Sequence, residues 1–456
     1  DQNTALGAHC GDAVTGNRNV LLGYNVAQGA GAIDDNVVIG SGAASNATFV
    51  GDDNVVIGKD AGFYLTSGHS NVLIGHTSGG VTTGIGNTAV GFEALKTEDD
   101  HGGNVAVGFQ ALKDLNAGVD SYNTAVGHIA GENINSGVRN TIIGAFSGDL
   151  LNDADFNVTL GFGALGSDLK GSKTVAIGVD ALTAQSFSEA QDTGNTAVGY
   201  NAGVANVTGI NNTFIGDRAG DAITGSGYSG STRQAGGDNN VAVGQGALTA
   251  DTKGNRSTAL GYQTLVNQNF TSSTDTHNTA VGAFAGTAIQ SGQYNTLVGS
   301  NAATSLQGGQ QNVAIGYQAF NSADEDDESV AIGSNALNAQ NAGNATNNVG
   351  VGCDVGVNLT TSTATTLIGT DANGSGIMTG GANTAVGNEA LFSCTGGEGN
   401  TVMGYQAGRA LLGGSFNVAI GREALEQEDG HDGNVAIGYR ALQRQDAGSH
   451  VYNVGI

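Results

Sequence analysis

Two short stretches bring carboxylates beside an imidazole: Glu98-Asp99-Asp100-His101, and Glu428-Asp429-Gly430-His431-Asp432. Oxygen and nitrogen donors at such close spacing can hold Ca²⁺ or a transition metal. The candidate ligands are Asp99, Asp100, His101, Asp429, His431 and Asp432. A third acidic run, Asp324 to Glu328, has no histidine. The competing reading of all three is a solvated turn, and the Gly-Gly-x-Gly-x-Asp calcium nonapeptide is absent. We expect no resident metal and no cofactor. Tyr200, Tyr262, Tyr317, Tyr405 and Tyr439 each follow a glycine in the same local context, as do Tyr24, Phe92, Phe109 and Phe162. Exposed rings at these points could stack on sugar rings; the leading reading is that they cover a corner of the fold. No nucleophile, base and orienting acid can be assembled by spacing, and the eight histidines share no common position. We therefore expect a protein that is not an enzyme. Cys10, Cys353 and Cys394 are too few and too scattered for a disulfide framework or a metal cluster, and read as small apolar fillers.

What must position these residues is a repeat. Asn-Thr-Ala-Val-Gly at 87–91 returns as Asn-Val-Ala-Val-Gly at 104–108, and glycine-closed copies of this five-residue motif number 25. Most follow one another after 17 residues, and longer steps are local insertions. Position one is Asn in 21 copies and Thr174, Ser257, Ser329 or Thr365 in the rest. Position two is always Thr or Val, and position four is always Val, Ile, Leu or Met. Short β-branched runs bounded by Gly and Asn read as strands, and the glycines exclude helices. Each rung continues into x-x-Ala-Leu or x-x-Ala-Gly, a second apolar element read as a second short strand on the opposite wall. The period then gives an all-β parallel β-solenoid, with one turn per repeat and a column of Asn stacked rung over rung.

Side chains alternate across a strand. Positions two and four share one face, read as the core: Val90, Val107, Ile143, Ile177, Ile215, Ile315, Ile332, Ile420 and Ile437. Position three faces the other way, and its large members, Leu73, Ile142, Phe214, Leu297 and Leu367, read as a chain–chain interface. Residues 1–456 form one array of 25 complete rungs. The final Tyr-Asn-Val-Gly-Ile matches 347–351 but lacks the closing glycine, and Asn-Thr-Ala-Leu-Gly opens at residue 3. Both observations predict a longer polypeptide.

The copies "NTAVGYNAG" (195–203) and "NTVMGYQAG" (400–408) resemble the head repeats of trimeric autotransporter adhesins, the Yersinia-adhesin type. They are also similar to repeats of phage tail-fibre-like proteins. The resemblance spans the whole chain and implies a left-handed β-roll with three chains side by side. The period departs from it, since adhesin head repeats are nearer 14 residues.

Composition narrows the function further. A net charge of −26 without a Lys/Arg cluster excludes nucleic acid and anionic membrane surfaces as partners. No run reaches the roughly 18 apolar residues of a membrane span. We expect an extracellular structural and adhesive fibre segment, the shaft or head of a phage tail fibre or bacterial surface adhesin. Its expected partners are two further copies of itself and a host-surface glycan or protein. The alternatives are an extracellular filament of solenoid protomers with no receptor and, more remotely, an ice-binding solenoid. The second is set aside here because a Thr column at position two would point inward beside position four.

Overall fold

A computed structural model describes residues 2–46, 48–98, 100–229, 232–343, 346–428, 430–445 and 452–456. It divides into two units, 1–235 and 236–456. Each unit is a parallel β-solenoid with no helix among the described residues. The first carries thirteen motif strands, from Thr4–Leu6 to Thr213–Ile215; the second carries thirteen more, from Val241–Val243 to Val454–Gly455. The last of these is the motif that lacks its glycine. Within a unit each strand pairs with the next rung in parallel and in motif register: Thr88 lies opposite Val105, Ala89 opposite Ala106 and Val90 opposite Val107. The same pairing recurs at Val313–Ile315 and Val330–Ile332.

The motif strands are three residues long, except the two-residue Val454–Gly455, and the second apolar element is not a strand. After the motif glycine the chain makes a tight turn with left-handed backbone at two side-chain-bearing residues, as at Glu93 (φ 52°) and Leu95 (φ 51°). Its peptide groups bond to the neighbouring rung, as in Leu95 N–H to the Ala111 carbonyl at 3.0 Å. The motif glycine is obligatory. Gly91 has φ +145°, and a Cβ there would lie 2.1 Å from the Gly108 carbonyl oxygen.

The turn runs close beneath the strand, and this corrects the expected facing. Position three points inward: Leu73, Ile142, Phe214, Leu297 and Leu367 are fully buried. Positions two and four point outward. Of the expected core residues, Ile143, Ile215, Ile315 and Ile437 are exposed, and Val90, Val107, Ile177, Ile332 and Ile420 are half-buried. The interior is too thin for two large aliphatic columns, so its marker is small size. Ala fills position three in most copies, and larger residues appear only where the opposite wall gives way.

That reciprocity explains the two kinds of rung. Where the turn offers Leu, as at Leu95 and Leu112, position three is Ala89, Ala106 or Ala125, all buried. Where it offers Gly, the inward residue is large. A Cβ on Gly203 or Gly220 would come within 2.5 or 2.4 Å of the Phe214 ring, and one on Gly131 within 3.0 Å of Ile142.

The Asn column is buried and bonded. Each Oδ1 accepts the next rung's backbone N–H, as Asn36 does from Asn54 at 2.9 Å. Most Nδ2 groups donate to a turn carbonyl, as Asn54 does to Gly68 at 3.0 Å. At Thr174, Ser257 and Ser329 the ladder changes form. Their hydroxyls pair with Thr193, Thr276 and Thr346 at 2.7, 2.6 and 2.6 Å. These partners lie in the inserted residues of the longer rungs. A glutamine completes each unit: Gln185, Gln268 and Gln340 donate to the hydroxyls and accept from Asn195, Asn278 and Asn348.

Candidate functional site

The outward strand face is the most extensive candidate surface in each unit. Positions two and four bring a Thr/Val column beside a Val/Ile/Leu column, stacked like upon like by the register. No charged residue occupies either position in any motif copy, in a chain of net charge −26. Leu260 is 43% exposed, Ile368 39% and Met403 50%. A contiguous apolar strip of this kind is uncommon on a protein surface without a partner.

Beside this face stand the rings that follow the motif glycine. Tyr200, Tyr262, Tyr317, Tyr405 and Tyr439 are all exposed. His76, Phe92, Phe109 and His128 form a stacked ladder in consecutive rungs, with centroids 5.0–5.4 Å apart and planes within 10°. Arg422 lies over Tyr405 at 5.2 Å and Arg440 over Tyr439 at 4.9 Å, which adds cation–π contact to those two rings. Tyr262 meets Phe284 edge to face at 5.1 Å, so several of these exposed rings contact a neighbouring ring or an arginine.

The described residues of the two histidine-bearing acidic loops mostly bond to nearby turns. Asp99 and Asp429 lie outside the described residues. Asp100 is exposed and accepts from the Thr83 hydroxyl at 3.0 Å. Asp432 accepts the Ser415 N–H at 2.7 Å. His101 and His431 instead fold back on the glutamate three residues earlier: their peptide N–H groups donate to Glu98 and Glu428 at 3.1 and 3.2 Å. The His431 ring also bonds Glu428. Among the described residues no three metal-binding side chains come together.

Sequence reading missed a set of buried carboxylates. Glu98, Asp168, Asp251 and Glu428 are fully buried, and each lies seven residues after a motif glycine. Asp168 accepts from Gly171 N–H at 3.2 Å, Phe187 N–H at 3.0 Å and Gln185 Nε2 at 2.6 Å. Asp251 repeats this with Gly254, Phe270 and Gln268. Burial raises the Asp168 and Asp251 carboxyls above the usual carboxylate range, against the opposing pull of these donors. Their role is to cap turns. The shared offset from the glycine was the available signal.

A second omission is a groove in the first unit, lined by Phe63, Tyr64, Gly79, Gly80, Lys96 and Thr97 among others. Its signals were the 16-residue step from Gly75 to Gly91, matched only by that from Gly7 to Gly23, and the one adjacent aromatic pair in the chain.

No family model and no curated protein matches the chain.

Proposed function

We propose that the chain is a structural, adhesive fibre segment, extracellular on a virion or a bacterial surface, that assembles with copies of itself through its outward strand face. The observation that carries this reading is the uncharged, half-exposed Thr/Val–Val/Ile strip. Burying such a strip contributes about 25 cal/mol per Å² of apolar area, repeated at every rung. The resemblance to adhesin and tail-fibre repeats supports three chains. The interface is then positions two and four, since position three is inside. The solution mass tests this. The wild-type chain is expected as a trimer by sedimentation equilibrium. Combined Ile143→Glu, Ile215→Glu, Ile315→Glu and Ile437→Glu changes are expected to reduce it to one chain while the β circular-dichroism signal remains. Unchanged mass in the variant would remove the strand face from the interface.

One observation favours a second reading. Thr88, Thr124, Thr141, Thr196 and Thr213 point outward and are half-buried, so the inward direction that set ice binding aside does not hold. A monomeric wild-type chain that shows thermal hysteresis would favour an ice-binding face over the fibre.

A further inference from the structure

The rung from Gly75 to Val90 is one residue shorter than its neighbours. In sequence alignment the missing residue falls opposite Tyr64 in the preceding rung and Thr97 in the following one. The position before it is Gly80, between Phe63 and Lys96, so the middle rung lacks two consecutive side chains. A gap of about 420 Å³ results, walled by Phe63 and Tyr64 on one side and Lys96 and Thr97 on the other. The backbone distance between these walls is two rung spacings, about 10 Å. Gly80 is held in this role, since a Cβ there would lie 1.7 Å from the Lys96 carbonyl oxygen.

We propose that this groove binds a neutral pyranose sugar. Phe63 and Tyr64 are exposed and meet edge to face, with centroids 5.2 Å apart, which holds the Tyr64 ring while leaving it open. An open aromatic face suits the C–H face of a sugar ring. The rim supplies hydroxyl partners: Thr77, Thr82, Asp60 and Lys96 line the groove. Its charges are already matched. Lys59 donates to Asp60 at 2.8 Å and Lys96 to Glu93 at 2.6 Å, making a neutral patch on an acidic chain. The Lys96 ammonium has further donors for a ligand oxygen. A peptide strand is the poorer occupant, because the floor's N–H groups are engaged: Gly79 with Ala94 and Gly80 with Leu95, at 2.9 and 2.8 Å. An anionic glycan would meet Asp60 and Glu93.

This site deepens the adhesive half of the proposed function, and it lies within one chain. Saturation-transfer NMR with maltotriose, cellotriose and mannotriose tests it, with 3′-sialyllactose as the anionic comparison. The expected result is saturation transfer to at least one neutral trisaccharide at millimolar concentration. Tyr64→Ala should weaken binding about tenfold, as loss of a stacking ring implies, with an unchanged melting temperature. Tyr200→Ala, on the post-glycine column, should bind as wild type. The proposal is overturned if no neutral trisaccharide binds, if folded Tyr64→Ala binds equally well, or if Tyr200→Ala is the variant that loses binding. Solution mass measured alongside separates the two readings: a monomer that binds sugar removes only the trimer, and a trimer that binds none removes only this site.

Discussion

Asp168 shows how a side chain on a turn becomes structural. Three donors converge on a carboxylate with no exposed surface. Asp168→Ala would leave them unsatisfied and should cost about 1–3 kcal/mol, read by thermal or urea unfolding. The pH dependence has a definite sign. Burial raises this carboxyl in the folded state, so its stabilising contribution is complete below the unfolded value of about 3.9 and is lost as pH rises through the raised folded value. Asp168→Asn should therefore remove part of the decline in stability that wild type shows from about pH 4 upward. An identical slope in both proteins would show that the carboxyl titrates normally. At this scale the sequence was partly legible. The acidic loops stood out by composition, yet Asp100 and Asp432 serve neighbouring turns. Asp168 has structural work yet sits in an unremarkable context, and Glu98 is hidden among the other acidic residues of its loop; the burial of each comes from rung stacking, which the local sequence does not show.

The strand element tests which way the motif faces. Ala314 and Ile315 are adjacent, the first fully buried and the second 36% exposed. Ala314→Asp should abolish folding, since an unpaired carboxylate in the thin interior costs several kcal/mol. Ile315→Asp should retain the β signal and affect association instead. The reverse order would restore the opposite facing. The Leu/Gly alternation gives a second test. Phe214→Ala opens a cavity worth about 3–5 kcal/mol. Gly203→Leu alone collides with the Phe214 ring, although the backbone at Gly203 (φ 59°) is the one that Leu182 (φ 51°) adopts. Together the two changes recreate the Leu-over-Ala rung, so the double variant should be more stable than either single one. A simple sum of the two losses would mean the sites are uncoupled. The strands themselves were plain from the Asn-to-Gly motif. Their facing was not, because hydrophobicity marks both sides of each strand and only the depth of the interior decides between them.

At the scale of the molecule, period and repeat number fixed the solenoid, but the cause of the irregular rungs lay outside any single motif. Thr174 and Thr193 are 19 residues apart and meet only when the rungs are stacked. The three hydroxyl-bridged rungs have a consequence for how the chain finds its fold. An array of nearly equal rungs can be threaded one repeat out of frame with almost every strand still paired, and the penalty falls only on unmatched ends. Thr174, Ser257 and Ser329 break that degeneracy. Each needs its own threonine and its own glutamine on the next rung. A frame shift would set an Asn against a longer loop and strand the buried Asp168 and Asp251 without their glutamines. The bridges act as keys in a zipper: they contribute no more than their neighbours when the teeth are aligned, and they stop closure when the teeth are not.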